Sequence, residues 1–152
     1  MIERLKILFG ARPDPAEPRP GDDVSRALAA LMFMAAMMDD RIDDAERRAI
    51  DGMIRDRFGL DADAAVALMT EAEETARDST HFQRFTAQLK AAYDDEGRRE
   101  VMEMLWRVIC ADGEVHDREA NLMRRIAGLL YVTDRDSGLA RQRALSAVTR
   151  GR

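Results

Sequence analysis

The chain has 152 residues, of which 46% are hydrophobic, and a formal net charge of −5. Its size and apolar content fit one globular domain with a buried core. No apolar run reaches the ~20 residues that a membrane-spanning helix needs. The single cysteine, Cys110, excludes an internal disulfide, and we expect it to be a small buried residue of a cytoplasmic protein.

The first 21 residues are predicted to stand apart from the domain. Residues 1–10 place Ile2, Leu5, Leu8 and Phe9 on one side of a short amphipathic helix. Residues 11–21 hold all four prolines and predict an extended linker, because proline removes a backbone donor and restricts the residue before it. We predict that the folded domain covers residues 22–148.

Helical spacing continues through the rest of the chain. Apolar residues recur three or four positions apart in seven successive segments between Val24 and Leu145. Gly59 is predicted to end the second of these helices, Asp61 to start the third and Asp134 to start the last. The pattern predicts an all-α, single-domain helical bundle of about seven to eight helices, including the segment 1–10.

A nine-residue acidic motif occurs twice in the chain. MDDRIDDAE at 38–46 aligns with ADGEVHDRE at 111–119, each residue of the second lying 73 positions after its counterpart. Each copy follows one predicted helix and begins another. We therefore predict an internal duplication of a helix–acidic turn–helix unit.

Helix capping explains part of this motif. Asp43 and Glu46 are spaced as a capping box, and Glu119 holds the equivalent place in the second copy, after His116. Capping does not account for Asp39 and Asp112, which are expected at helix C-terminal ends, where the helix dipole disfavours negative charge. A hard cation, Ca²⁺ or Mg²⁺, would stabilise them with carboxylate oxygens from the turn and the next helix. Capping alone remains the alternative.

Other kinds of site fit the sequence less well. An EF-hand loop needs aspartate or asparagine at its third position, where this chain has Arg41 and Glu114, and a glutamate at its twelfth, where it has Ile50 and Met123. Two histidines and Cys110 are too few and too badly spaced for zinc. Gly113 suits a turn with positive φ, and Ile42 and Val115 are expected to point into the core. No nucleotide-binding or nucleophile motif is present, so we expect no enzyme.

The duplicated acidic turns, their helix spacing and the Arg4–Phe9 sequence RLKILF resemble the TerB-like tellurite-resistance proteins over about residues 24–140. The resemblance implies an all-helical fold that also occurs in membrane-anchored DnaJ-like co-chaperones, and an association with stress responses. It further implies metal binding by acidic residues. Those acids correspond here to Asp39, Asp43, Glu46, Asp112 and Glu119.

Two functions follow as expectations. The first is a non-enzymatic, cytoplasmic stress protein whose paired acidic turns bind a divalent cation. The alternative is a protein-interaction module, in a stress complex or peripheral to the inner membrane, whose acidic turns are only helix caps. A protein partner suits the 1–10 segment better than a lipid surface, because so short a helix binds membranes weakly. Nucleic-acid binding is not expected, since the C-terminal arginines lack interleaved aromatic residues.

Overall fold

Seven α-helices and one short 3-10 helix make up the described part of the chain. The computed structural model describes residues 23–39, 41–78 and 82–150, with the backbone alone at Asp39. The helices are α1 (Asp23–Ala36), α2 (Asp44–Phe58), α3 (Ala62–Asp78), α4 (Gln83–Ala92), α5 (Asp95–Ile109), α6 (Asp117–Leu129) and α7 (Asp134–Arg150), with the 3-10 helix at Met37–Asp39. The all-α bundle is confirmed. The predicted N-terminal helix and linker lie outside the described residues, and the domain limits stay a prediction.

Helix α1 lies at the centre of the bundle. It contacts α2, α3, α4 and α5, and ten of its 14 residues are buried. A helix that is apolar around its whole circumference is stable only when other elements surround it. Three of its largest side chains, Leu28, Met32 and Phe33, are fully buried. Helix α1 is therefore the helix against which α2, α3, α4 and α5 pack.

Helix α5 organises the second half of the domain. It contacts α1, α2, α6 and α7, and its most extensive contact is with α7. Within that contact the Trp106 Nε1–H donates a buried hydrogen bond of 3.1 Å to Ser137 Oγ. The bond satisfies an indole N–H that would otherwise be buried without an acceptor. It therefore fixes the position of α7 along α5.

The helix ends are mostly those that the sequence predicts. Gly59 ends α2 with a left-handed backbone (φ +63°), and Asp61 Oδ1 accepts a 2.8 Å bond from the Ala64 N–H at the start of α3. Asp134 is the first residue of α7, but Thr133 supplies the capping oxygen, which accepts from the Asp136 N–H at 3.1 Å.

Helix α6 is shorter than predicted. The apolar spacing predicts a sixth helix from about Asp117 to Tyr131, whereas α6 ends at Leu129, and Tyr131 has φ +58°. The Val132 N–H donates to the Ala127 carbonyl at 2.8 Å, the bond expected of a left-handed helix end. Apolar spacing alone could not reveal this end, because the left-handed position is occupied by tyrosine instead of the usual glycine.

The contact between α1 and α5 joins two helical hairpins, α1–α2 and α5–α6. The turn within each hairpin is one copy of the acidic motif. The internal duplication of the two units stays a prediction. Within the described residues, every helix is too short or too polar to cross a bilayer.

Candidate functional site

The first acidic turn connects the 3-10 helix to α2. Asp43 has an extended backbone (φ −83°, ψ 169°), and its Oδ1 accepts from the Glu46 N–H at 2.7 Å. Glu46 Oε1 accepts in return from the Asp43 N–H at 3.1 Å. These reciprocal bonds satisfy amides that have no partner within the helix. The predicted capping box is confirmed.

The second acidic turn connects α5 to α6. Gly113 adopts φ +88°, as predicted, and its N–H donates to the Cys110 carbonyl at 2.8 Å. At the start of α6, Glu119 Oε1 accepts from the His116 N–H at 3.1 Å. Glu119 therefore occupies the same place in its turn as Glu46 does in the first.

Asp112 has a structural role that the sequence analysis missed. It is exposed and lies three residues beyond the end of α5, and its Oδ1 accepts from the Glu114 N–H at 2.9 Å. Helix capping does not account for Asp112, as the sequence analysis states, but a backbone amide of the turn does. An aspartate beyond a helix end can bond to an amide two residues later, a turn that helix periodicity does not reveal.

Asp39 also differs from its expected position. Helix α1 ends at Ala36, and Asp39 is the last residue of the 3-10 helix that follows. Its side chain lies outside the described atoms. Its predicted role as a ligand stays a prediction.

Two apolar residues anchor the turns. Ile42 and Val115 are partly buried and pack against the main hydrophobic core, as predicted. Each lies a few residues before the buried glutamate of its turn. Each of these two side chains therefore holds its turn against the bundle at that position.

The burial of Glu46 and Glu119 is the most informative feature of the site. Their exposed fractions are 9% and 3%. Carboxylates are almost never buried this deeply unless they are paired. The sequence did contain a signal: each glutamate lies four residues before a core residue, Ile50 and Met123, and residues four apart share a helix face.

The carboxylates of the two turns interact electrostatically. The pKa of Glu46 is raised from 4.5 to about 7. Burial is the largest cause, opposed by the hydrogen bond from the Asp43 backbone, and the negative charges of Asp43, Glu119 and Asp112 raise it further. Four of the five predicted ligands are thus near enough to one another for the charges of three of them to act on Glu46.

These four acids do not form a complete metal cage. Within the described side chains, no group of three or more His, Cys, Asp or Glu residues is placed to hold a metal ion. The capping bonds do not use all of the hydrogen-bond acceptor sites of a carboxylate, since each carboxylate has two oxygens and about four lone-pair sites. The arrangement is a buried acidic pair, Glu46 and Glu119, flanked by exposed Asp43 and Asp112.

Cys110 lies beside this site and is fully buried, as predicted. Burial raises the pKa of its thiol to about 11; Arg141 opposes this, and Glu119 and Asp112 add to it. The thiol is therefore protonated at neutral pH. Since the thiolate is the reactive form, Cys110 is a packing residue at this pH.

Comparison with known proteins agrees with the fold. The family model of the tellurite resistance protein TerB matches residues 25–142, which include both acidic turns and all seven helices in whole or in part. No curated protein and no solved structure gives a significant match. Because the matched region is most of the chain, this protein belongs to the TerB family of tellurite resistance proteins.

Proposed function

We propose that the two acidic turns together bind one divalent cation of the hard, oxygen-preferring kind, Ca²⁺ or Mg²⁺. The observation that carries this proposal is the raised pKa of Glu46, which follows from its burial beside the acids of both turns. Two nearly buried carboxylates that repel each other destabilise the folded chain. A bound cation would neutralise both, and oxygen ligands are those that Ca²⁺ and Mg²⁺ require.

Cation binding would need more ligands than Glu46 and Glu119. Asp43 and Asp112 are exposed and lie close enough to act on the charge of Glu46. Asp39 directly precedes the first turn and is a further candidate. In this proposal the two glutamates form the buried floor of the site, and the aspartates and water complete the coordination.

A binding role agrees better with the structure than a catalytic one. General acid–base catalysis needs a carboxylate within reach of a substrate in a concave site. Neither Glu46 nor Glu119 lines the four best-formed clefts of the described residues, which have volumes of about 220 to 600 Å³. We propose that the protein acts without catalysis, in the tellurite and stress responses with which its family is associated.

Calorimetric titration with Ca²⁺, Mg²⁺ and Mn²⁺ tests the proposed site. The variant is Glu46→Gln combined with Glu119→Gln, which removes both charges but keeps an oxygen that can accept the capping bonds from Asp43 and His116. We expect saturable heats for the wild type and their loss in the variant.

A matched control separates the site from general surface charge. Asp44→Asn with Asp117→Asn also removes two negative charges, at exposed positions in the first turns of the same helices. This control should bind as the wild type does. If the glutamine variant and the wild type give equal heats, the buried pair is excluded as ligands. If the wild type gives no heat of binding with any of the three cations, helix capping is left as the only role of the motif.

A protein-interaction role is the second candidate. A groove beside the acidic turns, lined by Met34, Met37 and Met38 and by arginines, favours it. The cytoplasmic location and the N-terminal segment as a recruiting element stay predictions.

A further inference from the structure

A groove of about 580 Å³ lies between the ends of four helices. The C-terminal end of α1 and the 3-10 helix form the floor of the groove with Met34, Met37 and Met38. Helix α6 lines the opposite side, where Leu122 is the apolar residue, and the nearby ends of α3 and α4 close the groove. It lies outside the proposed cation site.

The floor of the groove is apolar and adaptable. The three methionines are only partly buried, although ten of the 14 residues of α1 are buried. Methionine is unbranched, has three rotatable bonds and fits partners of different shapes, so it is common on surfaces that bind helices. The floor has the chemistry of a surface that receives apolar side chains.

The rim of the groove is positively charged. Arg77, Arg118 and Arg125 line it, and no acid is found among the described residues of the lining. Arg77 pairs with Glu73 at 2.6 Å, and Arg125 lies over the Phe82 ring, 5.0 Å from its centre. Arg118 and Arg125 are exposed. A local excess of positive charge in a chain of net charge −5 selects a negatively charged partner.

We propose that this groove binds an acidic amphipathic helix of a partner protein. Apolar side chains at positions i, i+3, i+4 and i+7 of that helix would lie on the methionines. Acidic side chains on its flanks would pair with Arg118 and Arg125. The charge of the groove disfavours residues 1–10 of this chain as the occupant, because that segment carries Arg4 and Lys6 against the single acid Glu3.

Binding of two designed peptides tests the proposal. Each is a fluorescent helix of about 16 residues, roughly 24 Å long, with leucines along one face. One has glutamates on its flanks and the other has lysines in the same places. We expect saturable binding of the glutamate peptide by fluorescence anisotropy, weakened by added salt because exposed charges are screened.

Reversing the rim charge should reverse the preference. Arg118→Glu with Arg125→Glu should weaken binding of the glutamate peptide by about tenfold or more, which is about 1.4 kcal/mol. The same variant should bind the lysine peptide more tightly than the wild type does. This gain shows that the variant is folded and that the groove is intact.

A control variant carries the same charge change elsewhere. Arg124 is exposed on α6 but lines a different cleft, and Arg135 is exposed at the start of α7. Arg124→Glu with Arg135→Glu should leave binding of the glutamate peptide within about twofold of the wild type, since neither side chain reaches the groove.

Three results would overturn the proposal. The first is no saturable binding of the glutamate peptide to the wild type. The second is equal weakening by the rim and control variants. The third is displacement of the bound peptide by a synthetic peptide of residues 1–10, together with tighter binding after residues 1–12 are deleted, which would make the chain's own N-terminal segment the occupant.

Discussion

Glu46 has two roles that conflict with each other. As the third residue of α2 it caps the amide of Asp43, and a charged carboxylate is the stronger acceptor. Its burial and the neighbouring acids instead favour the protonated form, and the raised pKa shows that they prevail. A cap on an ordinary helix surface avoids this conflict because it is exposed. In the proposed site, a bound cation would remove this conflict by favouring the charged carboxylate.

The raised pKa predicts how stability depends on pH. Between pH 4.5 and about 7, folded Glu46 keeps a proton that the unfolded chain has released. Ionisation of Glu46 therefore lowers the free energy of unfolding as the pH rises through this window. Glu46→Gln should be more stable than the wild type by a margin that grows from pH 4.5 to 7 and is then constant, reaching at most about 3 kcal/mol.

Urea unfolding of both proteins at several pH values measures this margin. Asp44→Asn, an exposed change in the same helical turn, gives the background. A margin for Glu46→Gln that is independent of pH, or that shrinks as the pH rises, would contradict the raised pKa.

Gly97 is required by close packing inside a helix. A Cβ at this position would lie 2.8 Å from Tyr93 Cδ1 and 2.9 Å from Tyr93 Cβ, and Tyr93 is buried. We expect Gly97→Ala to cost about 1–3 kcal/mol by overpacking, more than the ~1 kcal/mol that alanine gains in a helix.

Gly52→Ala is the matched control for this prediction. Gly52 is exposed in the middle of α2, and nothing lies within 4 Å of a Cβ added there. This change should stabilise the protein by about 0.5–1 kcal/mol. Thermal unfolding that moves in the same direction for both variants would show that Tyr93 adapts to the added methyl group.

At the scale of single helices, capping residues were the most predictable feature. Gly59, Asp61, and the pair Asp43 and Glu46 act through bonds between residues at most a few positions apart, so their spacing in the sequence is sufficient. The end of α6 was not predictable, since it depends on a tyrosine with positive φ. Asp112 was misread because its bond to Glu114 belongs to a turn and not to a helix.

One buried hydrogen bond, from Trp106 to Ser137, joins α5 to α7. Ser137→Ala should leave the Trp106 N–H buried without its acceptor and cost about 1–3 kcal/mol. In a Trp106→Phe background, the same serine change should cost much less, because the donor is already absent. Chemical unfolding of the four proteins gives the coupling energy. Equal costs in both backgrounds would show that the bond contributes nothing to stability.

At the scale of the whole molecule, helix content could be predicted but pairing could not. Apolar periodicity reports which face of a helix is buried, and it predicted seven helical segments in the domain. It does not report which helix covers that face. The sequence showed that α1 is unusually apolar, and this was the only sign of its central position. It gave no sign of the contact of α7 with α5 through Trp106 and Ser137.

The same limit applied to the candidate site. Its residues were identified from the repeated motif, but their proximity comes from the packing of α1 against α5. The burial of Glu46 and Glu119 follows from that packing too. The groove that we infer was missed because its arginines and methionines belong to different helices and are far apart in the sequence.

The central claim is that the acids of both turns form one coupled site for a cation. The most direct test is an NMR titration of the Glu46 side-chain carboxyl carbon with pH, without metal and with saturating Ca²⁺ or Mg²⁺. We predict a pKa of about 7 in the metal-free protein and a value at or below 4.5 with the cation, because bound positive charge favours the carboxylate. A Glu46 pKa that saturating concentrations of both cations leave unchanged would contradict the account.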